Sequence, residues 1–157
     1  MKPEQFKKAC AKWCTGVSIV TSTDPDGHDF GLTLNSVTSV SLDPPLMLIC
    51  IDNGAGTLNA VESKGAFCIN VLSTNQQELS ERFSQRSNDK FANLRPARGK
   101  LDVPVLAGCV ISFECEVEAV YPGGDHKIIV GHLKNIIEGD GEPKPLLYIN
   151  GKYNSPA

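Results

Sequence analysis

No window of the 157 residues holds the uninterrupted apolar run that a membrane-spanning helix needs, so the pattern excludes a spanning segment and leads us to expect a soluble chain. The amino terminus, MKPEQFKKACAKWCTGVSIV, scatters charge along its length and lacks both the apolar core and the small-residue cleavage site of a signal peptide. A cytoplasmic protein is expected. Six cysteines, at positions 10, 14, 50, 68, 109 and 115, include no CxxC pair, and four lie in apolar runs that read as strands. Reduced, buried thiols fit this better than a disulfide framework or a zinc site, and no metal site is expected. Cys10 and Cys14, one helical turn apart, fit it least. Lysines and arginines are dispersed under a formal charge of −3, which leaves no basic stripe for a phosphate backbone, so no nucleic-acid partner is expected. Repeats, low-complexity tracts and an interdomain linker are also missing. One domain over residues 1–157 follows, long enough to bury about two-thirds of its unfolded surface.

What is present reads mostly as strand. Pro3 to Trp13 places Phe6, Cys10 and Trp13 at helical spacing with lysines opposite, which predicts a short amphipathic helix on the domain edge, anchored by Trp13. GVSIVTS predicts a strand and DPDGHD the turn that reverses it, with His28 solvated in that turn. LMLICI is a continuous apolar run and reads as a central strand buried on both faces. Thr57 to Lys64 predicts a helix ending at Gly65, and AFCINVL another buried strand. Thr74 with Gln77 makes a capping box for a helix to about Gln85, with Leu79 and Phe83 on one face. QRSNDKFANLRPARGKLD reads as a polar linker. In ISFECEVEAVY, Phe113, Cys115 and Val117 alternate with Glu114, Glu116 and Glu118, the pattern of a half-exposed strand. The PGGD turn joins it to KIIVGHLKNII as a hairpin, and PLLYINGKY supplies one more strand. Hairpin order with few helices predicts a mainly β fold, an antiparallel barrel with peripheral helices.

One stretch is more polar than its fold requires. Gly31 to Pro45, GLTLNSVTSVSLDPP, reads as extended chain, so Thr33, Asn35, Val37, Ser39 and Ser41 share one face while Leu32, Leu34, Ser36, Thr38, Val40 and Leu42 share the other. A buried hydroxyl or amide without a partner costs about 1–3 kcal/mol. Several together require water, neighbouring backbone or a ligand with polar edges; a solvated strand rim is the plain alternative.

The strings TGVSIVTS, GLTLNSVTSVSLDPPLMLICI, TLNAV, FCINVL, FSQRSNDKF, a late GDH and a terminal GKY, taken in order, resemble the flavin reductase family with its FMN-binding split barrel, from about Phe6 to Tyr153. That resemblance implies a homodimer of antiparallel split β-barrels in which NADH or NADPH reduces FMN or FAD. It also implies that reduced flavin passes to a partner monooxygenase or another acceptor. Thr33, Asn35, Ser36 and Val37 would line the edge of the isoalloxazine ring, with Ser39 nearby. The run CIDNGAGT, with Cys50, Ile51, Ala55 and Thr57, would reach the ribityl chain and phosphate, where a helix start favours an anion. Thr57 also reads simply as an N-cap, and Asp52 beside it would be unwelcome to phosphate.

FSQRSNDKF supplies Phe83, Arg86, Lys90 and Phe91, and the resemblance puts its basic residues near the flavin phosphate or the adenine half of FAD. Lys90 fills a slot where Arg is common, without Arg's bidentate fork; a solvated basic loop is the competing reading. His126 of GDH would help place the nicotinamide, its ring oriented by Asp125, and Tyr153 would cover flavin or nicotinamide. His126 and Tyr153 are thus the candidate catalytic residues. Hydride would pass from nicotinamide to flavin, so alignment is the protein's task and no Ser-His-Asp set is required. Two rivals stay open: an electron carrier that keeps its FMN, and a flavin-binding module without enzymatic activity. The absence of GxGxxG leaves NADH and NADPH undistinguished.

Overall fold

The computed structural model of the protein describes residues 1–140 and 142–157. Its main body is one antiparallel sheet built from β2 (Ser18–Thr23), β3 (Asp29–Leu34), β4 (Val37–Leu42), β5 (Pro45–Asp52), β6 (Ala66–Val71), β9 (Ile111–Gly123) and β10 (His126–Glu138). The order across the sheet is β3-β2-β6-β9-β10-β5-β4. The fold is therefore mainly β. The two edges, β3 and β4, are consecutive in the chain and do not pair with each other, so the sheet is open and no closed barrel is formed.

Burial explains the order. β2 is buried along its whole length and β6 at all but its last residue, as continuous apolar or small-polar strands in mid-sheet should be. Val20, Ile49, Ile51, Phe67, Ile69 and Ile129, each fully buried, form one core under α2 (Gly56–Lys64). A second core gathers Val17, Ile19, Leu72 and Leu106 around Phe83 of α3 (Gln77–Ser84). Gly31 is required there: a Cβ at that position would lie 2.7 Å from the Phe83 ring, so only glycine lets α3 seat on β3. α2 ends as expected at Gly65, in the left-handed region at φ 69°.

Several expectations need correction. α1 (Pro3–Cys10) buries no residue, and Trp13 is 77% exposed, so it anchors no core: among the described residues no element packs over its ring. Gly31 to Pro45 is not one strand, because Asn35 and Ser36 leave the ladder between β3 and β4, and a register shift between Ser39 and Ser41 breaks the alternation again. β5 is not central but next to the edge, with only Ile49 and Ile51 buried. The capping box lies one residue earlier, at Ser73 and Gln76, on a 3-10 turn (Thr74–Gln76) that leads into α3. The expected polar linker is an arm of the core: Phe91 and Leu94 pack on the second cluster, and β7 (Ala97–Arg98) pairs with β8 (Pro104–Val105). Glu114 is fully buried rather than half-exposed, since that arm covers it and lends its backbone. Its carboxylate accepts from Lys100 N and Leu101 N, both at 2.9 Å, and from Asn135 Nδ2 at 2.7 Å.

The chain's end is a hairpin rather than one strand. β11 (Leu147–Ile149) and β12 (Lys152–Asn154) flank Asn150-Gly151, both at positive φ, and β11 pairs with β1 (Thr15–Gly16) in a small second sheet. All six cysteines are free. Burial pushes the Cys109 thiol up to about 11 and the Cys115 thiol up to about 12, in keeping with inert structural thiols. Cys109 sits in a loop rather than a strand.

Candidate functional site

Thr33, the last but one residue of β3, donates its hydroxyl to Ser80 O at 2.6 Å and so ties the strand to α3. Two residues on, the chain breaks from the ladder, and Ser36 Oγ donates to Cys50 O at 2.9 Å while Cys50 N donates to Ser36 O at 3.3 Å. Both hydroxyls therefore donate their protons to protein and keep only acceptor lone pairs for a ligand. Asn35, exposed between them, is left with its amide facing the site.

Three cavities meet at this gap. The first, about 630 Å³, runs from Asn35, Ser36 and Val37 to Trp13, Cys14 and Thr15. The second, about 270 Å³, lies between Thr33, Asn35, Tyr148 and Tyr153. The third, about 510 Å³, joins Thr33 to the start of α2 and to the segment from Ser84 to Lys90. Asn35 lines the first two, and Thr33 and Ser84 line the second and third, so the three adjoin one another as a segmented trough with shared walls. Thr15 Oγ1 in the first cavity is buried without a partner among the described residues, a polar atom that a ligand's edge can satisfy.

The third cavity has the character of an anion site. Ala55 is the N-cap of α2 and offers no side-chain cap, so the first amides of the helix are free for another acceptor. Thr57 is not the cap; it is the second residue of the helix, buried and lining the cavity. Asp52 also lines this cavity and its negative charge works against an anion there, while its Oδ1 accepts from Gly54 N at 2.7 Å.

Lys90 lines the same cavity, yet its Nζ donates to Gly31 O and Phe83 O, both at 3.0 Å, and burial lowers its pKa. It fastens the loop. Arg86, exposed on the cavity wall, is the cation with reach. Phe83 is fully buried and contributes only its edge, while Phe91 packs edge-on against it at 5.0 Å, in the core rather than the cavity.

Tyr153 and Tyr148 form a wall across the second cavity, with ring centroids 5.3 Å apart. The Tyr153 hydroxyl lies 2.9 Å from Ser80 Oγ. His126 opens β10 opposite Asp52 of β5, and its Nδ1 stands 2.6 Å from Asp125 Oδ1. The histidine's hydrogen bond and charge hold the Asp125 carboxyl below its usual range. His126 lines none of the three cavities, but its turn is pinned beside the third: Asn53 N donates to Asp125 O at 2.9 Å and Asn53 Nδ2 to Gly124 O at 3.3 Å.

Five expected contacts are not brought to the trough, His126 among them. Ser39 is exposed on β4, Ile51 is in the core, Phe91 packs on Phe83, and Cys50 serves through its backbone. Sequence reasoning missed Tyr148, Trp13 and Thr15. Tyr148 was legible: an Asn-Gly turn pairs the residues two places before and after it, which sets Tyr148 opposite Tyr153.

Residues 10–157 match the family model described as the flavin reductase like domain. The chain belongs to that family. Among flavin reductase relatives, the reductase subunit HsaB of a flavin-dependent monooxygenase from Rhodococcus jostii is 37% identical over 151 residues, covering 96% of this chain and 76% of that one. The crystal structure of a nitrilotriacetate monooxygenase component B homolog from Mycobacterium thermoresistibile superposes with a TM-score of 0.93 at 34% identity, over 98% of this chain and 86% of that one. The NADH:FAD oxidoreductase SgcE6 of Streptomyces globisporus, solved with NAD and FAD fragments, superposes with a TM-score of 0.90 at 30% identity, over 100% and 96% of the two chains. The residues present suit a flavin reductase's ligand, with an apolar wall, an exposed amide, an orphaned hydroxyl and a free helix start along one trough.

Proposed function

We propose that the protein is an NAD(P)H-dependent reductase of FMN or FAD that passes reduced flavin to a partner monooxygenase. The observation that supports this reading is the row of adjoining cavities, which sets Asn35, Thr33, Ala55, Thr57 and Arg86 along one side of the protein for an elongated ligand. Flavin supplies the chemistry, since its ring accepts two electrons as hydride. The chain's own task is placement. Asn35 and the backbone of Ser36 and Val37 hold the polar ring edge, the start of α2 and Arg86 hold phosphate, and Tyr153 closes the trough. His126 orients the nicotinamide, with Asp125 fixing its ring.

Consecutive unpaired edges at β3 and β4 support reading the sheet as the family's split barrel, a single domain over residues 1–157. Exposed Val40 and Leu42 on β4 suit a homodimer contact. Among the described residues no helix is long and apolar enough to cross a membrane, in keeping with a cytoplasmic site of action.

The test is NADH oxidation by dialysed protein with and without added FMN. Saturable activity that depends on added flavin supports a reductase that treats flavin as a substrate. Bound flavin with no NADH oxidation would replace it with the electron carrier.

A further inference from the structure

Four of the six cysteines are at least partly buried, but Cys10 and Cys14 are both exposed and both line the first cavity. Cys10 is the last residue of α1, and the chain beyond it keeps turning. Ala11 N donates to Lys7 O at 2.9 Å, Ala11 holds helical dihedrals, and Trp13 N donates to Cys10 O at 2.9 Å. Cys14 follows that turn, outside the helix and directly before β1, and shares the first cavity with Cys10. A disulfide needs about 3.5–4.5 Å between Cβ atoms, so the turn must close over the cavity for the pair to join.

We propose that Cys10 and Cys14 form a peroxide-oxidised thiol pair at the mouth of the flavin trough. The oxidant is hydrogen peroxide. Its source rests on the function proposed above: free reduced flavin gives two electrons and two protons to dioxygen, yielding oxidised flavin and hydrogen peroxide. One thiol attacks a peroxide oxygen, breaking the O–O bond to give a sulfenic acid and water; the second thiol then displaces the sulfenic oxygen as a second water. Two thiols and one peroxide become one disulfide and two waters, with both sulfur-bound protons leaving in the waters. The three buried thiols, shielded by the core, take no part.

The bond has a route to the site. Cys14 precedes Thr15, which pairs with Tyr148, and Tyr148 packs edge-on against Tyr153. Ala11 O also accepts from Asn150 N, at the turn between β11 and β12. Tightening residues 10–14 therefore pulls on both ends of the tyrosine wall. Oxidation should raise the flavin KM several-fold, and dithiothreitol should restore it.

The experiment treats the full chain with hydrogen peroxide, then maps disulfides by tryptic digestion and mass spectrometry. Lys12 separates the two cysteines, so a bond between them leaves the fragment Ala9–Lys12 joined to the fragment that begins at Trp13. Fragmentation then assigns the partner to Cys14 rather than Cys50, which shares the longer piece. The expected result is that cross-link, together with a dithiothreitol-reversible loss of turnover that is absent when Cys10→Ser and Cys14→Ser are combined. Unchanged thiols, oxidation past the sulfenic stage without a cross-link, or an equal loss in the double variant would overturn the proposal. The mapping uses added peroxide and reads a covalent bond, so a failure of the reductase reading appears separately, as absent NADH oxidation before treatment.

Discussion

The hydroxyl of Tyr153, four residues from the end of the chain, lies 2.9 Å from the buried Ser80 hydroxyl on α3, so a side-chain hydrogen bond ties the terminal hairpin to that helix across the trough. Replacing Tyr153 by Phe keeps the ring edge-on against Tyr148 and removes that bond alone. Stability should fall by about 0.5–1.5 kcal/mol, read as a lower urea midpoint. Tyr153→Ala, which also removes the wall, should add a marked rise in flavin KM that the Phe variant lacks. Equal KM values in the two variants would deny the ring any role as a cover.

Arg86 is the exposed cation at the anion end of the trough, Lys90 being tied to two backbone carbonyls. A solvent-exposed charge contact is worth up to about 1 kcal/mol, so Arg86→Ala should raise the KM for FMN by roughly five-fold. Riboflavin, which lacks the phosphate, provides the control. A matching rise for riboflavin would mean that Arg86 acts on the ring or on the fold.

His126 is placed by register beside Asp52 and by hydrogen bond beside Asp125. With His126→Ala the apparent KM for NADH should rise while the dissociation constant for flavin stays put, measured by quenching of flavin fluorescence. A shift in flavin affinity without one in the NADH KM would reverse the assignment.

The buried thiols set an alkaline limit on stability. Unfolded thiols ionise near 9.0, whereas Cys109 and Cys115 keep their protons to about 11 and about 12. Between those values the folded chain binds more protons than the unfolded one, so stability is complete below about pH 9 and declines as pH rises, by up to about 1.4 kcal/mol per unit for each thiol. Urea melts at pH 8 and pH 10 should show this decline. It should be smaller in a variant combining Cys109→Ala with Cys115→Ala, and an identical decline would assign it to other groups.

Long apolar runs made much of this fold legible: β2, β6 and the end of α2 at Gly65 follow from local pattern and one glycine. Legibility failed where distant chain decides burial. Glu114 reads as a solvent-facing position in a strand, and only the arm that supplies Lys100 N and Leu101 N makes it a core residue. Trp13 reads as an anchor, but amphipathicity does not say which neighbour is present to cover it. The polar stretch drew attention to the right place for a partly mistaken reason. Thr33 and Ser36 bond to Ser80 O and Cys50 O, which gives the gap its shape, while Asn35 is the group left over.

Asn53 clasps Gly124 and Asp125 with its side chain and backbone, so the β9–β10 turn and the loop before α2 travel as one rigid piece. An engineer who reshapes Gly54 to Gly56 to favour a different flavin will drag His126 along. On the placement proposed above, the preference for hydride donor and the preference for flavin would be geared together through that clasp, and selecting for one alone would first require cutting it.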